Sequence, residues 1–579
     1  MKRAFSLLLA ALLLLTGCGV APQTSEPSSA APTHTTFPTQ SPEVALEVLE
    51  NGCTKASPEK VYTFPDNRPL FSLDGTFYST DILVELFTET DAVIYYTLDG
   101  SEPDETDLLY TSEGILFRRQ RGDFPNAHTI KARAYYANGI VSDVAVKTYF
   151  SAKNIRSRFT TLVFSVSGEP DVLTEGPDGI FYGENYHQRG RESEREIYLE
   201  AWNTNGEQFL SQYCGVRVYG GASRAGSIKS MKLYARKSYS SGDGKFDTDI
   251  FGTLVQDGSG DMIDEYDKMV LRNGGNDFQF AYIRDEMCHL LAKDAGFTDY
   301  EMVIPAVCYM NGEYYGFFWL HESYCDDYFK NKYPNDDANG EFIVCEGTDR
   351  WKNEDPDEGK EVFANHYNRM YDVFSKADLT VDNVYAQLCE FIDVENYLDY
   401  FAFNIYINNW DWPQNNYKCY RYCPAEGEEF DGVYDGRWRY LLHDTDYSFG
   451  LYGMAETQAQ YDNISQILNP DSDRYAPLFA NLLHRADCRE YFLAKLEELA
   501  FGALSSQNIL NKINTIMDQR ATEQAYYYTY MEQQRNAGVQ DLWSRPEHME
   551  DYVALIRTFA SKRARQVISY AKKALEAYE

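Results

Sequence analysis

Between about Tyr62 and Phe150 the chain alternates apolar and polar residues in short runs, DILVELF, AVIYYTL, TIKARAYY and VAVKTYF. A period of two puts one face of each run on a core and the other in water, which predicts half-buried strands. Asp99-Gly100, the SEPDET segment and Asn138-Gly139 separate them, and Asn138-Gly139 has the composition of a two-residue hairpin turn. The regular spacing predicts a small antiparallel β-sandwich over residues 58–152. From about Phe159 the pattern mixes. TTLVFSV, REIYLEAW, GVRVYG and KSMKLYAR read as strands, and MVIPAVCYMNGEYYGFFWLHES reads as a hairpin turning at Asn311-Gly312. AYIRDEMCHLLAKDAG reads as an amphipathic helix ending at Gly296, and VENYLDYFAFNIYINNW as a helix running into a loop. Beyond about Thr457 apolar residues recur near i, i+3 and i+4, which predicts helices that complete the large domain. The fold class is therefore α+β.

The N-terminus has its own pattern. Met1-Lys2-Arg3 is basic, and Ala4 to Leu15 is an apolar run too short to span a bilayer. It ends in Leu15-Thr16-Gly17-Cys18, which resembles the bacterial lipobox, where the leader is cut before the cysteine and the cysteine is lipidated. Residues 1–18 are thus expected to be a lipoprotein signal. Cys18 would anchor the mature protein to the cell membrane on its extracytoplasmic side. Residues 19–57, rich in Ser, Thr, Pro and Ala to about Glu43, read as a disordered tether. No later run is long and apolar enough for a transmembrane helix.

The remaining roughly 520 residues suggest two or three domains. A net charge of −36 argues against nucleic acid or an anionic membrane surface as partner, and is compatible with divalent cations. The 47 tyrosines suit carbohydrate-facing surfaces as well as ordinary half-buried strands. Eleven cysteines form no CxxC pair, which disfavours a zinc site. Export would permit disulfides, and Cys419 and Cys423 are near enough in sequence to be paired. AVCYM at Cys308 and FIVCE at Cys345 equally suit buried free thiols.

The segment Asn408 to Gly450 carries the chemistry. Asp411 stands five residues before Asn416, and after an apolar strand Asp444 and Asp446 precede Phe449-Gly450. An acid, an amide five residues on, and a second acid ahead of Phe-Gly is the arrangement of a kinase site. One Asp takes the proton of an attacking hydroxyl, while the Asn and the second Asp hold metal ions on the nucleotide phosphates. Asp and Asn are also ordinary turn formers, so either piece alone is weak.

Two resemblances extend this reading. Ile94-Tyr95-Tyr96-Thr97-Leu98-Asp99-Gly100-Ser101-Glu102-Pro103, with Ile130 to Tyr135, resembles the sandwich module appended to chitobiases and other carbohydrate-active enzymes. That implies a non-catalytic spacer that contacts polysaccharide at most. Residues 157–455 resemble the CotH kinase family, named for a spore-coat protein. The matching pieces are Gly220-Gly221-Ala222-Ser223-Arg224 with Lys229-Ser230-Met231-Lys232, Leu271 to Asp277 with Arg284-Asp285, Asn311 to Gly316 through Glu322, the Asp411–Asn416 segment and DTDYSFG. The resemblance implies an atypical kinase-like domain with residues 456–579 as its helical extension. ATP and Mg2+ or Mn2+ would be its cofactors. Its acceptor would be a Ser or Thr hydroxyl of a secreted or surface protein. Asp411 would be the base, and Asn416 (Asn415 less so), Asp444 and Asp446 would hold metal. Lys229 is favoured at the nucleotide, with Lys232 or Arg224 as second contact and Glu322 as the acid steadying the lysine. Arg272, Asn273 and Asn276 would shape the pocket or simply a turn. Three departures stand out: no GxGxxG loop precedes the lysine, Asn409-Trp410 replaces His-Arg before the Asp, and DxDxxFG replaces Asp-Phe-Gly. The alternative is a non-catalytic surface protein that binds wall polysaccharide through its sandwich. Glycoside hydrolysis, which needs two suitably spaced carboxylates, fits the Asn and Lys partners less well.

Overall fold

The computed structural model describes residues 46–122, 124–174, 179–181, 184–239, 244–347, 361–453, 455–536 and 549–578. Cys18, the leader and residues 19–45 of the expected tether lie outside them. The rest of that tether is folded, a correction to the sequence reading. Leu46–Val48 pairs antiparallel with Thr54–Ala56, which joins the sandwich through Ile82, and Cys53 and Ala56 are buried. Three-residue strands are too short for alternation to show against a polar background.

The sandwich has two main sheets and a small two-stranded one, Leu70–Phe71 with Leu86–Phe87. One main sheet runs in the order Leu46–Val48, Thr54–Ala56, Ile82–Val84, Ile115–Phe117. The other runs Phe77–Tyr78, Ala145–Ser151, Ala127–Tyr136, Ala92–Thr97, Leu108–Leu109. Ile130, Ala132 and Ala134, at every second position of one strand, fill the space between them with Ile82, Val84, Ile94 and Tyr149. The turn after Tyr136 is one residue longer than a two-residue hairpin. Gly139 N–H donates to Tyr136 C=O, Tyr136 N–H donates to Ile140 C=O, and Gly139 alone takes a left-handed φ of 83°. That is the three-residue loop with glycine at its last position.

Seven strands follow: β1 (Leu162–Ser167), β2 (Arg195–Trp202), β3 (Gln208–Tyr219), β4 (Ser230–Tyr234), β5 (Lys268–Arg272), β6 (Val303–Met310) and β7 (Glu313–Glu322). They close a barrel in the order β1-β2-β3-β4-β5-β7-β6, sealed by the parallel pairing of β6 with β1. The β6–β7 hairpin turns at Asn311 (φ 44°) and Gly312 (φ 86°), as their composition predicts. Its tip seats the sandwich. Ala127 N–H donates to Gly312 C=O at 2.7 Å, and the Asn311 amide exchanges two hydrogen bonds with the Gly168 backbone. Phe77 and Phe150 of the sandwich pack edge-on or tilted against Phe159, Trp202 and Tyr309, so both parts share one core.

A second sheet, β8 (Glu341–Gly347), β9 (Tyr417–Cys423) and β10 (Arg439–Leu441), stands beside helices α1 (Arg284–Asp294), α2 (Val394–Ile407), α3 (Ala486–Phe501), α4 (Ser506–Asn536) and α5 (Met549–Leu575). The two longest helices each send a buried arginine into the fold. Arg520 of α4 donates to the carbonyls of Ala281 and Tyr282, just ahead of α1. Arg563 of α5 donates to Ile405 and Tyr406 at the end of α2, to Ala459 and Tyr461, and to Asn463 Oδ1. A helix C-terminus leaves carbonyls without partners and concentrates partial negative charge, so a guanidinium there satisfies both. Burial pulls Arg563 down to about 10.

Arg563→Leu removes this donor from the Tyr406, Ala459 and Tyr461 carbonyls and from Asn463 Oδ1, while Ile405 C=O keeps Asn408 N–H and the Asn463 amide. We expect a loss of about 3 kcal/mol in unfolding free energy, read as a lower denaturation midpoint with unchanged slope; an unchanged midpoint would refute the clamp.

Candidate active site

Two loops meet where the barrel rim faces the second sheet. The first follows α2. Asn408 takes a left-handed conformation (φ 51°, ψ 55°) and terminates the helix, its N–H turned back to Ile405 C=O. Arg474 then holds the loop by both sides, donating to Asn409 C=O at 2.7 Å and Trp412 C=O at 2.6 Å, while the Trp412 indole donates to Tyr400 Oη at 2.7 Å. Asp411 sits between these pinned positions with its carboxylate half-buried. Its oxygens accept from Asn415 Nδ2 (2.8 Å) and Asn416 Nδ2 (3.2 Å). Burial raises the Asp411 pKa, the asparagines oppose the rise, and the Asp444 carboxylate adds to it.

The second loop follows β10. Asp444 is left-handed (φ 48°), which brings its carbonyl to 3.4 Å from Asn416 Nδ2 and ties the two loops together. Thr445 points the other way, its N–H and hydroxyl donating to Asp285 Oδ1 of α1 at 2.7 and 2.8 Å. Arg272, at the end of β5, is the hub. One Nη donates to Asp444 Oδ1 (2.5 Å) and Asp446 Oδ2 (3.2 Å), and its Nε lies 3.3 Å from Asp285 Oδ2. Asp446 is fully buried and also accepts from the Asn276 backbone N–H (2.6 Å) and side-chain amide (3.2 Å). Burial and the nearby Asp444 push its carboxyl far up despite Arg272. Gly275 makes this approach feasible: a Cβ there would stand 2.0 Å from Asp446 Oδ2.

Asp411, Asn415, Asn416, Asp444 and Asp446 share one cleft of about 310 Å³ with Arg272, Ser230, Tyr219, the Gly220–Ser223 loop and Glu346. The donor set is all oxygen and rich in carboxylate, which fits a hard divalent cation of the Mg2+ or Mn2+ kind. Asp444, Asn416 and Asp411 have oxygens available to it. Asp446 has three hydrogen bonds already and serves largely to anchor the Asn276 loop.

The cations named from sequence fall differently. Lys229 turns its ammonium onto the carbonyls of Arg224 and Gly226 (2.7 and 2.6 Å) and over the Tyr186 ring. Arg224 holds Gly220, Tyr186 and Gln188 carbonyls. Both brace the glycine loop. Lys229 precedes β4 rather than lying in it, so the strand's alternation does not aim it at the cleft. Lys232, on the face of β4 that Ser230 presents to the cleft, lies 5.6 Å from the ring of the cleft-lining Tyr219. Glu322 is placed elsewhere. It accepts from Met302 N–H, and burial pushes it up to about 7 beside a separate small cavity with Tyr266 and Lys268. The acid that does line the cleft is Glu346, paired with Lys418 (3.0 Å) and His443 (3.3 Å). The carboxylate following FIVC and the lysine in NNYKC gave no spacing signal, because they meet only across the β8–β9 ladder.

Behind Arg272, Asp285, His289 and His321 bring potential ligand atoms within 4.8 Å, with Glu286 and Glu301 alongside. His289 Nδ1 accepts the Glu301 backbone N–H at 3.2 Å, so its neutral ring carries the proton on Nε2, the atom facing Asp285 and Glu301. The cluster reads as a buried charge network rather than a metal shell. Against the cost of burial, Glu286 and Glu301 lift His321 to about 9, and His321 and His289 hold Glu301 at about 2.

The family profile described as CotH kinase protein matches residues 216–567, and the one described as chitobiase/beta-hexosaminidase C-terminal domain matches residues 73–147. No curated protein matches the chain.

The imidazolium of His321 supplies a pH-dependent share of stability. Its folded pKa is raised above the unfolded value of 6.5, so the contribution is complete below pH 6.5 and is lost as pH climbs through about 9. In chemical denaturation, the stability gap between wild type and His321→Gln should shrink by about 3 kcal/mol between pH 6 and pH 10; a gap that does not vary with pH would refute a charged His321.

Proposed function

The chain belongs to the CotH kinase protein family, and from that premise we propose that it transfers the γ-phosphoryl group of ATP to a Ser or Thr hydroxyl of a secreted or surface protein. The observation that carries the reading is the convergence of Asp411, Asn416 and Asp444, from two distant loops, on one cleft with the Gly220–Ser223 loop opposite. Asp411 orients the acceptor hydroxyl and takes its proton. Its raised pKa makes it a better base than a solvated aspartate, at the cost of a larger protonated fraction in acid. Asn416 and Asp444 hold a divalent cation, which when bound offsets the negative charge of the phosphates. The glycine loop, braced from behind by Arg224 and Lys229, lets backbone approach the phosphates closely. Arg272 lines the cleft and Lys232 lies buried beside the cleft-lining Tyr219, so both bring positive charge near it.

The lipobox-like Leu15 to Cys18 supports an extracytoplasmic, lipid-anchored location, and the chitobiase-type module supports a site of action near cell-wall polysaccharide. Both belong to the proposal.

Asp411→Ala should lower phosphoryl transfer from ATP by about 10²–10⁴-fold while leaving nucleotide binding with Mn2+ intact by calorimetry. Asp444→Asn should weaken both. Failure of the wild type to bind ATP with Mg2+ or Mn2+ would overturn the proposal. So would polysaccharide pull-down as the sole activity, undiminished in both variants.

A further inference from the structure

Strands β8 and β9 pair antiparallel with Cys345 directly opposite Cys419. Residues opposed in register point to the same face of a sheet, and both side chains enter the main core, 0% and 2% exposed. Opposed residues of an antiparallel pair hold their Cα atoms about 4.5–5.5 Å apart, inside the roughly 4.4–6.8 Å that a disulfide spans. The two thiols sense each other: burial first, then the neighbouring Cys345, drives the Cys419 thiol far above its ordinary range. Cys423, the partner suggested by sequence proximity, lies four residues further along the same strand. That is about 13 Å at the strand rise of about 3.3 Å per residue, out of reach of Cys419.

We propose that Cys345 and Cys419 are a disulfide-forming pair, closed when the chain folds against an oxidising disulfide such as oxidised glutathione. One cysteine thiolate attacks a sulfur of the oxidant, forming a mixed disulfide and expelling one thiolate. The second cysteine thiolate then attacks the protein-side sulfur and expels the other. Two protein thiols give up two electrons and two protons, and the oxidant is reduced to two thiols. Both sulfurs are buried in the finished fold, so the exchange takes place as β8 and β9 come together.

The position gives the bond a consequence for the site. Glu346 and Lys418 are the adjacent residues on each strand. They too are opposed in register, point to the other face, and make the 3.0 Å ion pair at the cleft. A covalent rung one residue away fixes the separation of the strands that hold this pair. It also closes a loop that contains α2 and Asp411.

The test uses the full chain, unfolded with reductant, refolded in a glutathione redox buffer, then unfolded in acidic denaturant, blocked there with N-ethylmaleimide and digested with trypsin without reduction. Trypsin cuts after Arg421 and so separates Cys419 from Cys423. The expected result is one linked species containing Cys345 and Cys419, two hydrogens lighter than the two thiol peptides together. Protein refolded in reductant should melt about 5 °C below protein refolded in the glutathione buffer, and that difference should be absent in Cys345→Ala/Cys419→Ala. Recovery of both cysteines as maleimide adducts, or linkage of either to a different cysteine, overturns the proposal. The peptide map needs wild-type protein alone, so it decides the matter even where the double variant fails to fold.

Discussion

The guanidinium of Arg272 is the interaction on which the site rests. It is almost wholly buried, and it meets Asp444, Asp446 and Asp285 at once. These carboxylates come from the loop after β10 and from α1. Without that cation the three carboxyl groups would crowd in an interior of low dielectric, where burial and Asp444 already push the Asp446 carboxyl far up. One fixed positive charge at the end of β5 makes the convergence stable. It couples the barrel, the first helix and the acidic loop into one unit, so that Asp444 presents a free oxygen to the cleft from a backbone that does not have to reorganise when a cation arrives. His321 and its two glutamates extend the same logic one layer deeper, with charges of alternating sign running from β7 through α1 to the cleft.

Much of this was legible in the chain. The barrel strands and the β6–β7 hairpin showed as period-two alternation, and the α+β class followed from them. Asp411, Asn416, Asp444 and Asp446 stood out because metal and proton chemistry demands those side chains at close spacing, and the structure gathers them. What could not be read was what depends on strands meeting. Nothing along β8 or β9 marks Glu346 and Lys418 as neighbours, and closure of the barrel is a property of the β1–β6 pairing. Lys229 was preferred over Lys232 on position alone. The structure spends Lys229 on carbonyls of the glycine loop, since an ammonium just outside a strand is free of the strand's alternation. Glu322 misled for a related reason: a strand-end glutamate resembles the acid a lysine needs, but its own backbone partner at Met302 draws it to the far side. The folded residues from Leu46 to Ala56 were hidden by brevity.

The sandwich is bonded to the barrel, not hung from it. Aromatic rings from both sides interleave, and the hairpin tip at Asn311-Gly312 supplies directional bonds that a flexible spacer would lack. Gly100 of the sandwich reinforces the fit, since a Cβ there would stand 2.4 Å from Asn311 Oδ1. Whatever surface the module rests on, the cleft inherits a fixed orientation toward it.

Arg563 has a further meaning for how such a chain matures. The guanidinium bound at the end of the helix leading to the Asp411 loop comes from α5, 157 residues beyond Tyr406. Until α5 has been made and has packed, the Tyr406 carbonyl at that end of α2 lacks this donor. A chain that lacked α5 would therefore leave the entry to the Asp411 loop without this clamp.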